Sequence, residues 1–166
     1  MSKFSTDIEK SSGIAALIFG ILLFALLLVH LFTLNQIVGI GISFIGIWLL
    51  LLSIDTYYNS RIESIIYLII ALISFITGLG LYTHLTFYWL NENNWINLTG
   101  LIIILTGFLA LIGPGRVEKL AGSIGVVLGI LLILIYSNTA NLYISVVIIG
   151  IWLLVIGVIQ SEITYG

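Results

Sequence analysis

Six apolar runs, each long enough to cross a bilayer, alternate with short polar segments in this chain, and basic residues occupy only every second one of those segments. Lys3, Lys10, Arg61, Arg116 and Lys119 lie before the first run, between the second and third, or between the fourth and fifth. Basic segments stay on the cytoplasmic side of a membrane. The pattern therefore predicts a polytopic protein of the cell membrane with both termini inside and three short hairpins outside.

Composition removes the soluble alternative. With 61% hydrophobic and 7% charged residues, the chain cannot cover a water-facing surface, for which roughly a quarter of residues are normally charged. A net charge of −2 gives no reason to expect nucleic acid. The absence of cysteine removes thiolate ligands, disulfides and thiol nucleophiles. A lipid barrel needs alternating polar and apolar residues, which Leu49-Leu50-Leu51-Leu52 and Leu101-Ile102-Ile103-Ile104-Leu105 lack. The expected fold is an all-α integral membrane domain over 1–166 with a cytoplasmic segment 1–12. A spanning helix takes about 17 to 25 residues. Helices are placed over Gly13–Phe32, Ile37–Ile54, Ile65–Tyr82, Trp95–Ile112, Leu120–Tyr136 and Leu142–Ile159, with an inner loop over Asp55–Ser64. The first is read as a retained helix, since no small-residue cleavage site follows it.

Small residues repeat along these helices. The odd helices carry pairs four apart, Ala16/Gly20, Ser74/Gly78 and Gly125/Gly129, each followed by an apolar run. In the even helices Gly39 and Gly46 lie seven apart, as do Gly100 and Gly107, and Gly46-Ile47-Trp48-Leu49-Leu50 recurs as Gly150-Ile151-Trp152-Leu153-Leu154. The chain reads as three tandem helical hairpins, 13–54, 65–112 and 120–159, each starting and ending inside and so parallel to the others. Small residues let helices approach closely where lipid supplies no hydrophobic drive for association. These glycines are accordingly assigned to helix packing and not to phosphate binding.

The segments Gly13 to Ile54 and Ala121-Gly122-Ser123-Ile124-Gly125-Val126-Val127-Leu128-Gly129-Ile130-Leu131-Leu132 through Ile149-Gly150-Ile151-Trp152-Leu153-Leu154-Val155-Ile156-Gly157 resemble the repeats of the HdeD-like acid-resistance membrane proteins. The middle segment departs further from that pattern. The only proline, Pro114, ends helix four, whereas the family commonly has one after the first glycine-rich helix. The resemblance implies a six-helix membrane protein linked to acid or stress tolerance, with no catalytic residue to carry over.

Residues suited to chemistry are few. His30 and His84 fall near the outer ends of odd helices. If they are neighbours, protonation would place two positive charges together, making an outer pH sensor; a haem between the imidazoles is the sharper alternative and an ordinary interfacial role the plainer one. The helix interiors as placed contain no Asp, Glu, Lys or Arg, residues that mark proton relays and ion pathways. Ser43, Thr77, Thr106 and Ser145 are read as packing hydroxyls. No enzyme activity and no cofactor are expected.

Two surfaces are candidates for partners. The middle outer loop, with Tyr88, Trp89 and Trp95, is the longest and most aromatic; on the inner side Arg61 and Arg116 stand at helix entrances, where topology control is the simpler role. The lipid bilayer is the expected environment, and a homo-oligomer or other membrane subunits are candidate partners. Three functional readings stay open: an HdeD-like stress protein, an accessory subunit of a larger membrane complex, and a small-solute channel or carrier.

Overall fold

The structure is a computed structural model describing residues 3–57, 60–83, 92–112, 116–139 and 141–162, with side chains described outside 3–10, 92–93, 116–118, 139 and 162. Six helices contain all the regular structure of the described residues: α1 (Lys3–Val29), α2 (Leu34–Thr56), α3 (Arg61–Tyr82), α4 (Glu92–Ile112), α5 (Arg116–Thr139) and α6 (Leu142–Glu162). Each contains an apolar stretch of 19 to 23 residues. At about 1.5 Å per residue, such a stretch covers the roughly 30 Å of a bilayer's hydrocarbon. This is a multi-pass membrane protein.

Local chemistry moves several helix ends from where hydropathy puts them. α2 starts at Leu34 because Thr33 and Gln36 form a reciprocal capping box: the Gln36 amide donates to Thr33 Oγ1 at 3.4 Å and the Thr33 amide to Gln36 Oε1 at 3.0 Å. The expected loop Asp55–Ser64 is shorter than the hydropathy profile implies. α2 runs through Thr56, taking Asp55 into its last turn, and Ser60 caps α3 by accepting from the Glu63 amide. α1 stops at Val29 and not Phe32 because His30 turns left-handed, with φ 53°, the one non-glycine residue with positive φ among those described. A left-handed residue closes a helix, and histidine is among the side chains that tolerate it.

The tightest helix pairs are α2 with α3, α4 with α5, and α1 with α6, while α1/α2, α5/α6 and α2/α6 are looser and α3/α4 is the loosest of the neighbouring pairs. Close pairing thus joins successive hairpins and not the two helices within one, and the last pair brings the first helix against the sixth. The six helices form a closed circuit. Its core is aliphatic, with Leu23, Ile42, Ile45, Leu49, Ile96, Ile103, Ile149 and Leu153 at 0% exposure, together with Trp48 and Trp152. Phe19 of α1 stacks on Phe44 of α2, ring centroids 4.4 Å apart.

Candidate functional site

Three glycine seams hold the circuit, and all three follow one rule. On α2 and α3, Gly39 faces Gly78, Gly46 faces Ala71 and Ser53 faces Ser64: seven residues forward on one helix match seven back on the other. A methyl group on Gly39 would lie 2.6 Å from the Gly78 carbonyl oxygen, and one on Gly46 would lie 3.2 Å from that of Ala71. On α4 and α5, Gly100 faces Gly129 and Gly107 faces Gly122; methyls there would meet the opposite carbonyl oxygens at 2.5 to 3.0 Å. On α6 and α1, Gly157 faces Gly13, while Gly150 and Gly20 meet Phe24 and Leu154, each four residues beyond the opposite glycine. Seven residues are nearly two helical turns, so a small residue every seven keeps one narrow stripe bare along each antiparallel pair. Backbone then meets backbone, the approach that favours association in lipid.

The expected packing residues divide between seams and other contacts. Gly20, Gly39, Gly46, Gly78, Gly100, Gly107, Gly129 and Gly150 all lie on the stripes. Gly125 instead receives the Trp152 ring of α6, whose carbons would lie 2.5 to 3.1 Å from a methyl group placed there, and Ala16 is fully buried. Ser74 packs its Cβ near Gly46 and donates its hydroxyl to the Ile70 carbonyl at 2.8 Å. Gly13, Gly122, Gly157, Ala71, Ser53 and Ser64 complete the seams. Their signal was present in the sequence as seven-residue steps in odd and even helices alike, which a search for four-residue pairs passes over.

At the end of the bundle that carries Arg61 and Lys119, buried and half-buried side chains hydrogen-bond between helices. Ser53 and Ser64 bond reciprocally: Ser64 Oγ donates to the Ser53 carbonyl at 2.7 Å and Ser53 Oγ to the Ser64 carbonyl at 2.9 Å. On the same end, Gln160 Oε1 accepts from Trp48 Nε1 at 2.9 Å and from Ser12 Oγ at 3.3 Å, tying α1, α2 and α6 together. Asp55 lies seven residues beyond Trp48 on α2, half-buried, with one carboxylate oxygen buried and unpartnered. In the bundle interior, the hydroxyls of Thr77, Thr99 and Thr106 donate to carbonyls three or four residues earlier in their own helices. Such bonds spend the donor locally.

His30 is exposed at the opposite end of the bundle. Its expected partner His84 lies outside the described residues, as do Tyr88 and Trp89. Trp95 is not available to a partner: it is 3% exposed, because its ring lies against Gly80, where a methyl would come within 2.6 Å of it. Arg61 is exposed, and the Arg116 side chain is outside the described set. Among the described residues no three His, Cys, Asp or Glu side chains group in a way that would hold a metal ion. The two tryptophans of the repeated Gly-Ile-Trp-Leu-Leu segment meet different partners, Gln160 for Trp48 and Gly125 for Trp152. No protein-family model, curated protein or solved structure matches the chain.

Proposed function

We propose that the chain is a non-enzymatic, HdeD-like protein of the cell membrane, built from three parallel hairpin repeats with both termini cytoplasmic, and that it acts in acid or stress tolerance of the envelope. The observation that carries this reading is the closure of α1 on α6 through the same kind of glycine seam that joins the other pairs. A bundle that uses all three seams on itself is a self-contained unit and does not depend on a neighbour to complete it. The interior hydroxyls spent on their own helices fit a packed bundle better than a polar pathway. The distribution of Lys3, Lys10, Arg61, Arg116 and Lys119 supports the orientation. In that orientation exposed His30 faces the outer side.

The test is survival in acid. Deleting the gene lowers survival after acid challenge relative to neutral medium, the wild-type chain restores it, and a chain carrying His30→Ala with His84→Ala restores it less. Full restoration by the double variant would remove the histidines from the reading. The accessory-subunit reading draws on the open apolar side of α3; an unchanged acid phenotype together with fixed-stoichiometry recovery beside other membrane subunits would put it first.

A further inference from the structure

The close pairs α2/α3 and α1/α6 are tied to each other. Phe19 of α1 stacks on Phe44 of α2, Gly41 of α2 faces Leu23 of α1 and Ile149 of α6, and Gln160 of α6 accepts from Trp48 of α2 and Ser12 of α1. These four helices make one body. The third close pair, α4/α5, meets that body substantially along only two lines among the described residues, α3/α4 and α5/α6.

The two lines are built alike. On α3/α4 the Trp95 ring lies against Gly80, and on α5/α6 the Trp152 ring lies against Gly125; a methyl group on these glycines would come within 2.6 and 2.5 Å of ring carbons. Both indole N–H groups are buried with no hydrogen-bond partner, in side chains only 3% and 0% exposed. Trp48, inside the four-helix body, has its acceptor in Gln160 Oε1 at 2.9 Å. A buried N–H without an acceptor is costly in apolar surroundings, so each line between the bodies carries a penalty that Trp48 escapes. A ring against a bare glycine also leaves no side chain opposite to lock its position, whereas the seams set backbone on backbone. We propose that the α4/α5 pair is a rigid unit that rocks against the other four helices, with Trp95 on Gly80 and Trp152 on Gly125 as the contacts that make and break, and that both indole N–H groups reach water in the parted state. Rocking of one packed unit against another is an established way for helical membrane bundles to change state. The motion belongs to the bundle itself and does not depend on the acid-tolerance reading.

The test measures distances by pulsed electron paramagnetic resonance on the full chain in phosphatidylcholine nanodiscs, with spin labels on cysteines introduced into a chain that has none of its own. The label sites are exposed residues at one end of the bundle: Ile14 on α1, Ile62 on α3 and Leu120 on α5. Ile14→Cys with Ile62→Cys, both in the four-helix body, returns one narrow distance population. Ile62→Cys with Leu120→Cys, which spans the two bodies, returns two. Adding Trp95→Phe and Trp152→Phe keeps both rings and removes both orphan donors, and it shifts the second pair toward the closed distance by about tenfold, the factor that corresponds to about 1.4 kcal/mol for a relieved buried donor. A single narrow population for the spanning pair, equal broadening of both pairs, or a parted population unchanged by the two phenylalanines would each overturn the proposal.

Discussion

At Gly122 a methyl group would lie 2.5 Å from the Gly107 carbonyl oxygen and 2.7 Å from the Leu111 amide nitrogen, and at Gly150 it would meet the far edge of the Phe24 ring at 2.7 Å. The two distances are similar and the consequences are not. Backbone cannot step aside without parting α4 from α5, whereas a phenyl edge swings on its own torsions. Gly122→Ala is therefore expected to destabilise the bundle by about 1–3 kcal/mol, the range for overpacking. Gly150→Ala is expected to be neutral or stabilising, because alanine is worth up to about 1 kcal/mol over glycine inside a helix. Thermal unfolding of the two variants in the same detergent measures the difference, and the reverse ranking would contradict the seam geometry. Which glycines matter most cannot be read from glycine positions alone, since the sequence does not say whether the opposing atom is backbone or side chain.

Individual elements were legible to within about a turn except at the start of α1, which runs from Lys3 and not Gly13 because the polar residues 3–12 continue the helix without any hydropathy signal, and the other errors also have identifiable causes. The start of α2 at Leu34 was written in Thr33-Leu34-Asn35-Gln36 as a capping box, and the start of α3 in Ser60-Arg61-Ile62-Glu63 as a cap. Hydropathy overlooks both because capping turns are polar. The end of α1 at His30 was not legible, since histidine is permitted but not required in a left-handed turn. Pairing of elements is where the two serines act. Ser53 and Ser64 exchange hydroxyl-to-carbonyl bonds across α2 and α3, and interhelical bonds of this kind in membranes average about 0.6 kcal/mol of coupling. Ser53→Ala and Ser64→Ala are each expected to lower stability by about that much in thermal unfolding, and nearly additively, because each hydroxyl's carbonyl acceptor survives in the other variant; a coupling as large as either single loss would contradict this bonding.

For the whole molecule, the consequential contact is α1 on α6, which joins Ser12 to Gln160 across 148 residues of chain. It can form only after the last helix is in place, so the circuit closes late in synthesis. The closure is testable because the chain has no cysteine of its own. The position a Gly13 Cβ would occupy is 2.8 Å from Gln160 Cβ, and disulfides need about 3.5–4.5 Å between Cβ atoms, so a slight opening of the seam accommodates a bridge. Gly13→Cys with Gln160→Cys is expected to form an intramolecular disulfide under mild oxidation, seen as a reduction-sensitive mobility shift of the monomer in a denaturing gel. No shift, with both thiols still reactive, would argue against α1 and α6 being adjacent.

The sequence by itself determined the medium, the helical class and the number of apolar helices, because each depends on local properties: residue polarity, run length and period. It also held the seven-residue spacing of small residues that every seam uses. Only the tertiary structure decided which helices those stripes join, that α2/α3, α4/α5 and α1/α6 are the close pairs, and that Trp95 is buried while the α3 face below Gly80 is open. The physical reason is that lipid is as apolar as the bundle core. An isoleucine facing the bilayer and one facing a neighbouring helix are chosen alike, so side-chain polarity carries no record of which face meets which partner.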